Sequence, residues 1–401
     1  MVTMDDTLSS RPARSPMGDR LTNIETGSPF AAASDPERKA PPPEGFLCQS
    51  PFEYVHIQAN GDVYPCCPSK FGRIIGNVNT ASLREIWNSS AAREVQESIL
   101  DGSYRFCNAR ACEYLRDAKA RQQELSPPAL VKWTQERAML DPGPTPSVIN
   151  MSFDRSCNLR CGYCRNELYM PGPAERQAVS HADANVFGSG LENTERIVLL
   201  GEGDPFASAF YREKLRHYDW SRHPKLRIKI QTNGLLLTPG MWESIAASHT
   251  AIDWISVSVD AADAPTYRLN RGGDFDTLLR NLDFIANLRA LGRIEHFFAH
   301  FLVQANNYRQ MPAFAKLGQN LGCDLIEFQR IENWGTYDDL AYRERAVHEP
   351  FHPQHQDFRR VLDHPDLQQE PVWLLKLGAQ PLRTGSVGVM SCKGKQTRPA
   401  I

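Results

Sequence analysis

No stretch of this chain is apolar over the roughly 18 residues that a membrane-spanning helix needs, so no membrane span is expected from it. Neither sign of charge prevails. Against 47 Asp and Glu stand 45 Lys and Arg, a formal net charge of −2, and no broad basic surface for nucleic acid follows. The N-terminus shows no charged-then-apolar secretory pattern, so the expected location is cytoplasmic. No internal repeat is visible. The remaining composition, 41% hydrophobic and 23% charged, is that of soluble folded domains. A length of 401 residues suits one large domain and a smaller one. Cysteine, by contrast, is not scarce. There are ten, and in a reducing compartment they read as metal ligands before disulfides.

The chain divides by texture. Residues 1–43, rich in Ser, Pro, Arg, Asp and Ala, read as a disordered leader. A small α+β cysteine-rich unit follows over 44–125. It holds an alternating stretch at 54–58, a turn at Asn60-Gly61, a second short strand, and a helix expected over 82–99 with Ser82 as its cap. A further helix is expected at 113–125, and 126–146 reads as a linker. From 147 to 345 short apolar runs alternate with helical stretches. The runs are 148–153, 197–200, 226–231, 254–259, 297–303 and 325–331. Six strand–helix units argue for parallel strands with crossover helices, in an α/β fold closer to a partial (β/α)6 TIM-like barrel than to a full eight-stranded one. Residues 346–401 form a polar C-terminal extension.

Directly after the first of these runs stands Cys157-Asn158-Leu159-Arg160-Cys161-Gly162-Tyr163-Cys164. Soft thiolates in the spacing C-x3-C-x2-C select an iron–sulfur cluster or zinc. Three ligands in one loop leave a fourth position open, and a structural zinc site wants a fourth Cys or His nearby. The sequence resembles the radical S-adenosylmethionine (SAM) superfamily, whose signature is this spacing after strand one. The resemblance implies a 4Fe–4S cluster on Cys157, Cys161 and Cys164 as the catalytic centre. It further implies that SAM binds the open iron and is cleaved reductively to a 5′-deoxyadenosyl radical, which takes a hydrogen atom from the substrate.

Other residues match the family in order. Tyr163 takes the aromatic position expected near the adenine. Gly201-Glu202-Gly203-Asp204-Pro205 resembles the Gly-Gly-Glu-Pro motif that meets the SAM ammonium, with Asp204 in place of Glu and Glu202 as the substitute. Asn233 lies in a Thr-Asn-Gly like that of the family. In the fourth run, Ser256, Ser258 and Asp260 share a face by alternation, opposite Ile255, Val257 and Val259. The resemblance brings the polar face to SAM. Arg271 matches a basic position near the SAM carboxylate, and Gln304 one near the adenine.

The N-terminal unit holds Cys48, Cys66, Cys67, Cys107 and Cys112. The pattern C-x12-G-x4-C from Cys48 through Gly61 to Cys66 resembles the SPASM/twitch modules, which bind auxiliary clusters. The resemblance implies one auxiliary 4Fe–4S cluster on Cys48, Cys66, Cys107 and Cys112, two clusters in all, with Cys67 the alternative to Cys66 and a four-thiolate zinc site the alternative to the cluster. In most relatives this module follows the barrel; here it precedes it.

Relatives of this kind act on peptides, alcohols and sugars. The short leader favours a small molecule such as a sugar or alcohol, leading to oxidation, epimerisation or dehydration. A peptide-modifying maturase acting on a ribosomal precursor is the alternative. A reducing partner such as flavodoxin or ferredoxin is expected, as the radical SAM reading implies. Glu327 and Gln329 share a face of the sixth run, and Glu327 is a catalytic candidate for binding or deprotonating substrate. Cys323 and Cys392 belong to neither cysteine set; either could donate a hydrogen atom, as an epimerase requires. A reading of another class, a non-catalytic iron–sulfur or zinc scaffold or sensor, has no use for the run of SAM-pocket candidates.

Overall fold

The computed structural model describes residues 48–109, 111, 112, 115, 143–165, 167–188, 191–200, 203–333, 336–375 and 377. The leader at 1–43 and the expected linker up to residue 142 lie outside the described residues, as do most of the expected helix at 113–125, Gly201, Glu202 and Cys392.

Ten strands form one open sheet, in the order β10-β9-β8-β7-β6-β5-β4-β1-β2-β3. Its centre is the six expected parallel strands: β4 (Val148–Met151), β5 (Arg196–Leu199), β6 (Arg227–Thr232), β7 (Ile252–Ser258), β8 (His296–Val303) and β9 (Leu325–Arg330). Their order in space follows their order in the chain, and crossover helices such as Phe275–Ala290 and Met311–Asn320 cover one face. That face is apolar because alternate residues of each strand point to it. Ile149, Ile197, Ile228, Ile255, Val257, Phe297, Ala299, Ile326 and Phe328 are buried there in one continuous core.

Both ends of the sheet extend beyond the expected barrel. On one side β1 (Tyr54–Ile57) pairs in parallel with β4, and β2 (Asp62–Tyr64) and β3 (Gly76–Asn77) continue antiparallel. The N-terminal hairpin is therefore hydrogen-bonded into the barrel sheet. Gly61 makes its tight turn at φ +85°, a conformation that costs glycine nothing. On the other side β10 (Val372–Leu375), from the polar C-terminal stretch, adds a seventh parallel strand beside β9.

The helix expected over 82–99 is two helices, Leu83–Trp87 and Ser90–Leu100. Ser82 caps the first through a reciprocal pair with Glu85, as expected. The break comes at Ser89, whose side chain accepts from the Ala92 N–H and starts a second helix. Serine competes for backbone donors in this way and favours caps over helix interiors. No helix among the described residues is long and apolar enough to cross a membrane.

Candidate active site

The loop after β4 is shaped by a buried carboxylate. Asp154 Oδ1 accepts from the Ser156 N–H at 2.9 Å and from its hydroxyl at 2.6 Å, and Oδ2 accepts from the Ser208 hydroxyl at 2.5 Å. Past this turn the chain makes one helical coil, in which the Cys164 and Arg165 N–H groups donate to the Cys161 carbonyl. That coil puts Cys161 and Cys164 on the same side. Gly203 backs the loop so closely that a Cβ there would lie 2.6 Å from the Ser156 carbonyl oxygen.

The three cysteines open on one cavity of about 180 Å³, lined also by Tyr163, Gly203, Asp204, Gln231, Asn233, Ser258 and Arg271. The ends of β5, β6 and β7 thus converge with the loop after β4, at the C-terminal edge where barrel enzymes place their chemistry. Asp204 ties two of these ends together. Its carboxylate accepts from the Thr232 hydroxyl and the Asn233 N–H, each at 2.7 Å, and from the Phe206 N–H at 3.0 Å. Burial nevertheless raises its pKa above the ordinary carboxylate range. Asn233 reaches back to the Asn158 side chain at 2.8 Å.

Arg271, the last residue of helix Ala264–Arg271, is buried. Its guanidinium meets Asp260 at 2.9 Å and also the Tyr163 hydroxyl, which donates to Asp260 at 2.5 Å. Asp260 sits at φ +63°, so the chain leaves β7 in a left-handed turn that aims the carboxylate at this group. Arg271 Nε has no partner among the described residues.

Several expected site residues fall elsewhere. Gln304, Ser256, Asp260 and Glu327 do not line the cavity. Gln304 is buried in the turn after β8, its N–H donating to Asn307 Oδ1. Ser256 is fully buried below Ser258, its hydroxyl without a partner. Glu327 is buried beside His300 and Gln329. Sequence reasoning passed over Asp154, Asn158 and His300. The Asp-x-Ser turn at 154–156 was a usable signal for the first; a lone histidine in an apolar run was the signal for the last.

In the N-terminal unit, Cys48 and Cys107 pack on a small core of Phe52, Ile99 and Tyr104. Burial pushes the Cys48 thiol up to about 11 and that of Cys66 well above its ordinary value. Cys66 feels the negative charge of Cys48, Cys67, Cys107 and Cys112, and Cys107 that of Cys48 and Cys112. Cys48, Cys67, Cys107 and Cys112 thus all bear on Cys66. The Cys67 sulfur also lies 3.1 Å from the Ser69 hydroxyl.

Among the described residues no three His, Cys, Asp or Glu side chains are drawn together as tightly as around a single metal ion. The fit of clusters rests on the donor sets and their electrostatics. Thiolates at Cys48, Cys107 and Cys112 would each disfavour ionisation of Cys66, so these groups ionise together only around positive charge, which a four-thiolate iron cube supplies. Three thiols on a cavity, beside an arginine N–H left unsatisfied, suit a cluster with one open iron and an anionic ligand.

Two family models match, that of the radical SAM superfamily over residues 151–316 and that of the SPASM iron–sulfur cluster-binding domain over residues 48–113. The chain is 29% identical over 190 residues to an AdoMet-dependent heme synthase of Nitratidesulfovibrio vulgaris, covering 46% of this chain and 48% of that one. It is 26% identical over 225 residues to the mycofactocin maturase MftC of Mycolicibacterium smegmatis, covering 54% and 51%. The chain thus spans about half the length of these curated relatives. Streptococcus suis SuiB bound to S-adenosylmethionine superposes with a TM-score of 0.39 at 14% identity, covering 74% of this chain and 65% of that one. The cofactors that go with the two matched domains are SAM with its 4Fe–4S cluster and an auxiliary iron–sulfur cluster. The cysteine cavity at the strand ends, the thiol set on the hairpin and the two matched domains agree: the chain carries a radical SAM domain with a SPASM domain ahead of it.

Proposed function

We propose that Cys157, Cys161 and Cys164 hold the SAM-binding cluster and that Cys48, Cys66, Cys107 and Cys112 hold the auxiliary one, in an enzyme that oxidises a small hydroxyl-bearing molecule such as a sugar or alcohol. The observation that carries the first part is the shared cavity of the three cysteines with Asp204, Asn233, Ser258 and Arg271. When bound, the cluster supplies an open iron for SAM and the electron that starts radical chemistry.

The chain's own residues do the rest. Arg271, neutralised on one side by Asp260, keeps Nε for the SAM carboxylate. Asp204 holds the ends of β5 and β6 together, and the Asn233 side chain braces the cysteine loop through Asn158. Tyr163 is locked by Asp260 and Arg271, so its ring is a fixed wall for the adenine.

A polar small substrate is supported by the inner face of the sheet. The cavity residues Gln231 and Ser258 belong to that face, and the strand registers put Lys229, Ser256, His300, Glu327 and Gln329 on it as well. A heme synthase among the relatives agrees with a small molecule. The relative named a maturase favours the second reading, modification of a peptide precursor. A reduced flavodoxin or ferredoxin would supply electrons.

Anaerobically reconstituted protein, given reductant and SAM, is expected to release 5′-deoxyadenosine. No release above that of a Cys157→Ala control would remove the proposal. Small hydroxyl compounds and peptides, tested for stimulation of that release, separate the two substrate readings.

A further inference from the structure

His300 and Glu327 are direct partners in the parallel ladder of β8 and β9. Both are buried, His300 at 9% and Glu327 at 2% exposure. His300 Nδ1 lies 3.2 Å from Glu327 Oε2, within ion-pair distance but not aligned as a hydrogen bond, and neither ring nitrogen has a hydrogen-bond partner among the described residues. The carboxylate is gripped from its other side by the Gln329 amide. Burial opposes its ionisation, yet the His300 contact, the Gln329 hydrogen bond and the Lys229 charge hold the Glu327 pKa below the ordinary range. Lys229, on β6, stacks its ammonium 3.8 Å from the Trp254 ring on the same face. A buried, ionised carboxylate 3.2 Å from Nδ1 favours the tautomer with its proton on that nitrogen and the lone pair on the far one.

The row containing His300 begins at the cluster cavity. Ser258 lines that cavity and is the ladder partner of His300 on β7, and Trp373 continues the row beyond Glu327. One layer deeper, the Ser256 hydroxyl is also unpartnered. Leaving a buried polar atom unsatisfied costs about 1–3 kcal/mol, and two side chains with such atoms on one face beside a cavity mark a place where a polar ligand satisfies them.

From this geometry we propose that His300 Nε2 is the proton acceptor for a substrate hydroxyl in the barrel interior, and that Glu327 is its positioning residue. The inference rests on the proposed oxidation of a hydroxyl-bearing molecule and deepens it. The step is a proton transfer only. The O–H bond breaks and its electron pair stays on oxygen, an N–H bond forms at Nε2, and the Glu327 carboxylate neutralises the imidazolium. Glu327, Lys229 and, four residues back on the same strand face, His296 are the ionisable groups around it.

Nitrogen-15 NMR of histidine-labelled, oxidised holoenzyme reads the tautomer directly. A bare Nε2 on His300, shifted toward the protonated Nε2 form in Glu327→Gln, is expected; a proton on Nε2 of the wild type overturns the assignment. This measurement needs no substrate and stands if a variant fails to fold. Substrate-free SAM cleavage by the wild type is the control for the cluster site. Failure of that cleavage in the wild type itself would strike the radical SAM site assignment instead. A panel of polyols, hexoses and nucleosides is then screened for stimulation of SAM cleavage. With a stimulating compound, His300→Gln should lower kcat about 100-fold or more with KM little changed, and flatten the acidic limb of the pH–rate profile, where a general base is lost to protonation. Product formed by His300→Gln near the wild-type rate overturns the role of His300. Stimulation by peptides and by no member of the panel, or silence of the whole panel, overturns the hydroxyl class.

Discussion

The cysteines after β4 and those of the N-terminal hairpin unit sit in opposite surroundings. The first set opens on a cavity and has charged company: Arg271 lowers the pKa of Cys161 against the burial that raises it, and Cys164 is exposed. The second set packs on apolar residues, and for Cys66 and Cys107 the charges that act on the thiols are mainly one another's. An open three-thiolate set with a cation beside it can take in an exchangeable anionic ligand. A closed four-thiolate set in an apolar wall has no room for one and suits electron transfer or structure. Yet the two are mechanically one unit, because β1 of the hairpin unit is paired with β4, the strand that feeds the cysteine loop.

The comparison can be broken from either side, and the largest effect is expected at the open set. Alanine at Cys157, Cys161 or Cys164 should abolish 5′-deoxyadenosine formation while leaving the auxiliary iron, about four of eight atoms per chain, measurable by iron analysis. Next, Cys66→Ala should lose the auxiliary iron and keep SAM cleavage, whereas Cys67→Ala should keep both. Equal iron loss in the two variants would dissolve the distinction drawn between these neighbours.

A smaller effect separates charge from thiol. Asp260→Asn leaves the buried Arg271 guanidinium without its counter-ion, which should cost about 3–5 kcal/mol in denaturant unfolding. The smallest effect tests the joint between the two sites. His56 on β1 lies 3.3 Å from the Tyr54 hydroxyl and 3.4 Å from the Asn150 side chain of β4, and burial lowers its pKa to about 4. The unfolded chain, with an ordinary histidine near 6.5, binds the proton more readily than the fold does. Stability therefore falls as pH drops below 6.5 toward 4. Between pH 6.5 and 5 the wild type should lose up to ~2 kcal/mol that His56→Gln retains, as read from denaturant midpoints.

Legibility followed the strength of local signals. The six central strands stood out because runs such as Ile-Ser-Val-Ser-Val and Phe-Phe-Ala-His-Phe-Leu-Val are β-branched, aromatic or alternating, and the structure moves their ends by only one or two residues. Helix Pro173–Phe187 was missed because only Val179, Ala182 and Val186 of it are buried, too few for a clear apolar stripe. Strand β10 was missed because four residues carry little periodicity and its partner β9 decides the matter. Among site residues, the alternation of β7 correctly grouped Ser256 with Ser258, but the depth that separates them is not a property of spacing. Ser258 reaches the cavity; Ser256 stays beneath it.

The sequence alone determined the chemistry on offer: two sets of thiols, their spacings, and a parallel-strand frame to carry them. These are local properties, set by residue type and by distances of a few positions along the chain. Only the tertiary structure brought Cys48, Cys107 and Cys112 near enough for their charges to act on Cys66. It alone decided that Arg271 is matched to Asp260, and His300 to Glu327. Those pairings depend on strand register and on a left-handed turn at Asp260, which bring together groups far apart in the chain, and no local pattern encodes them.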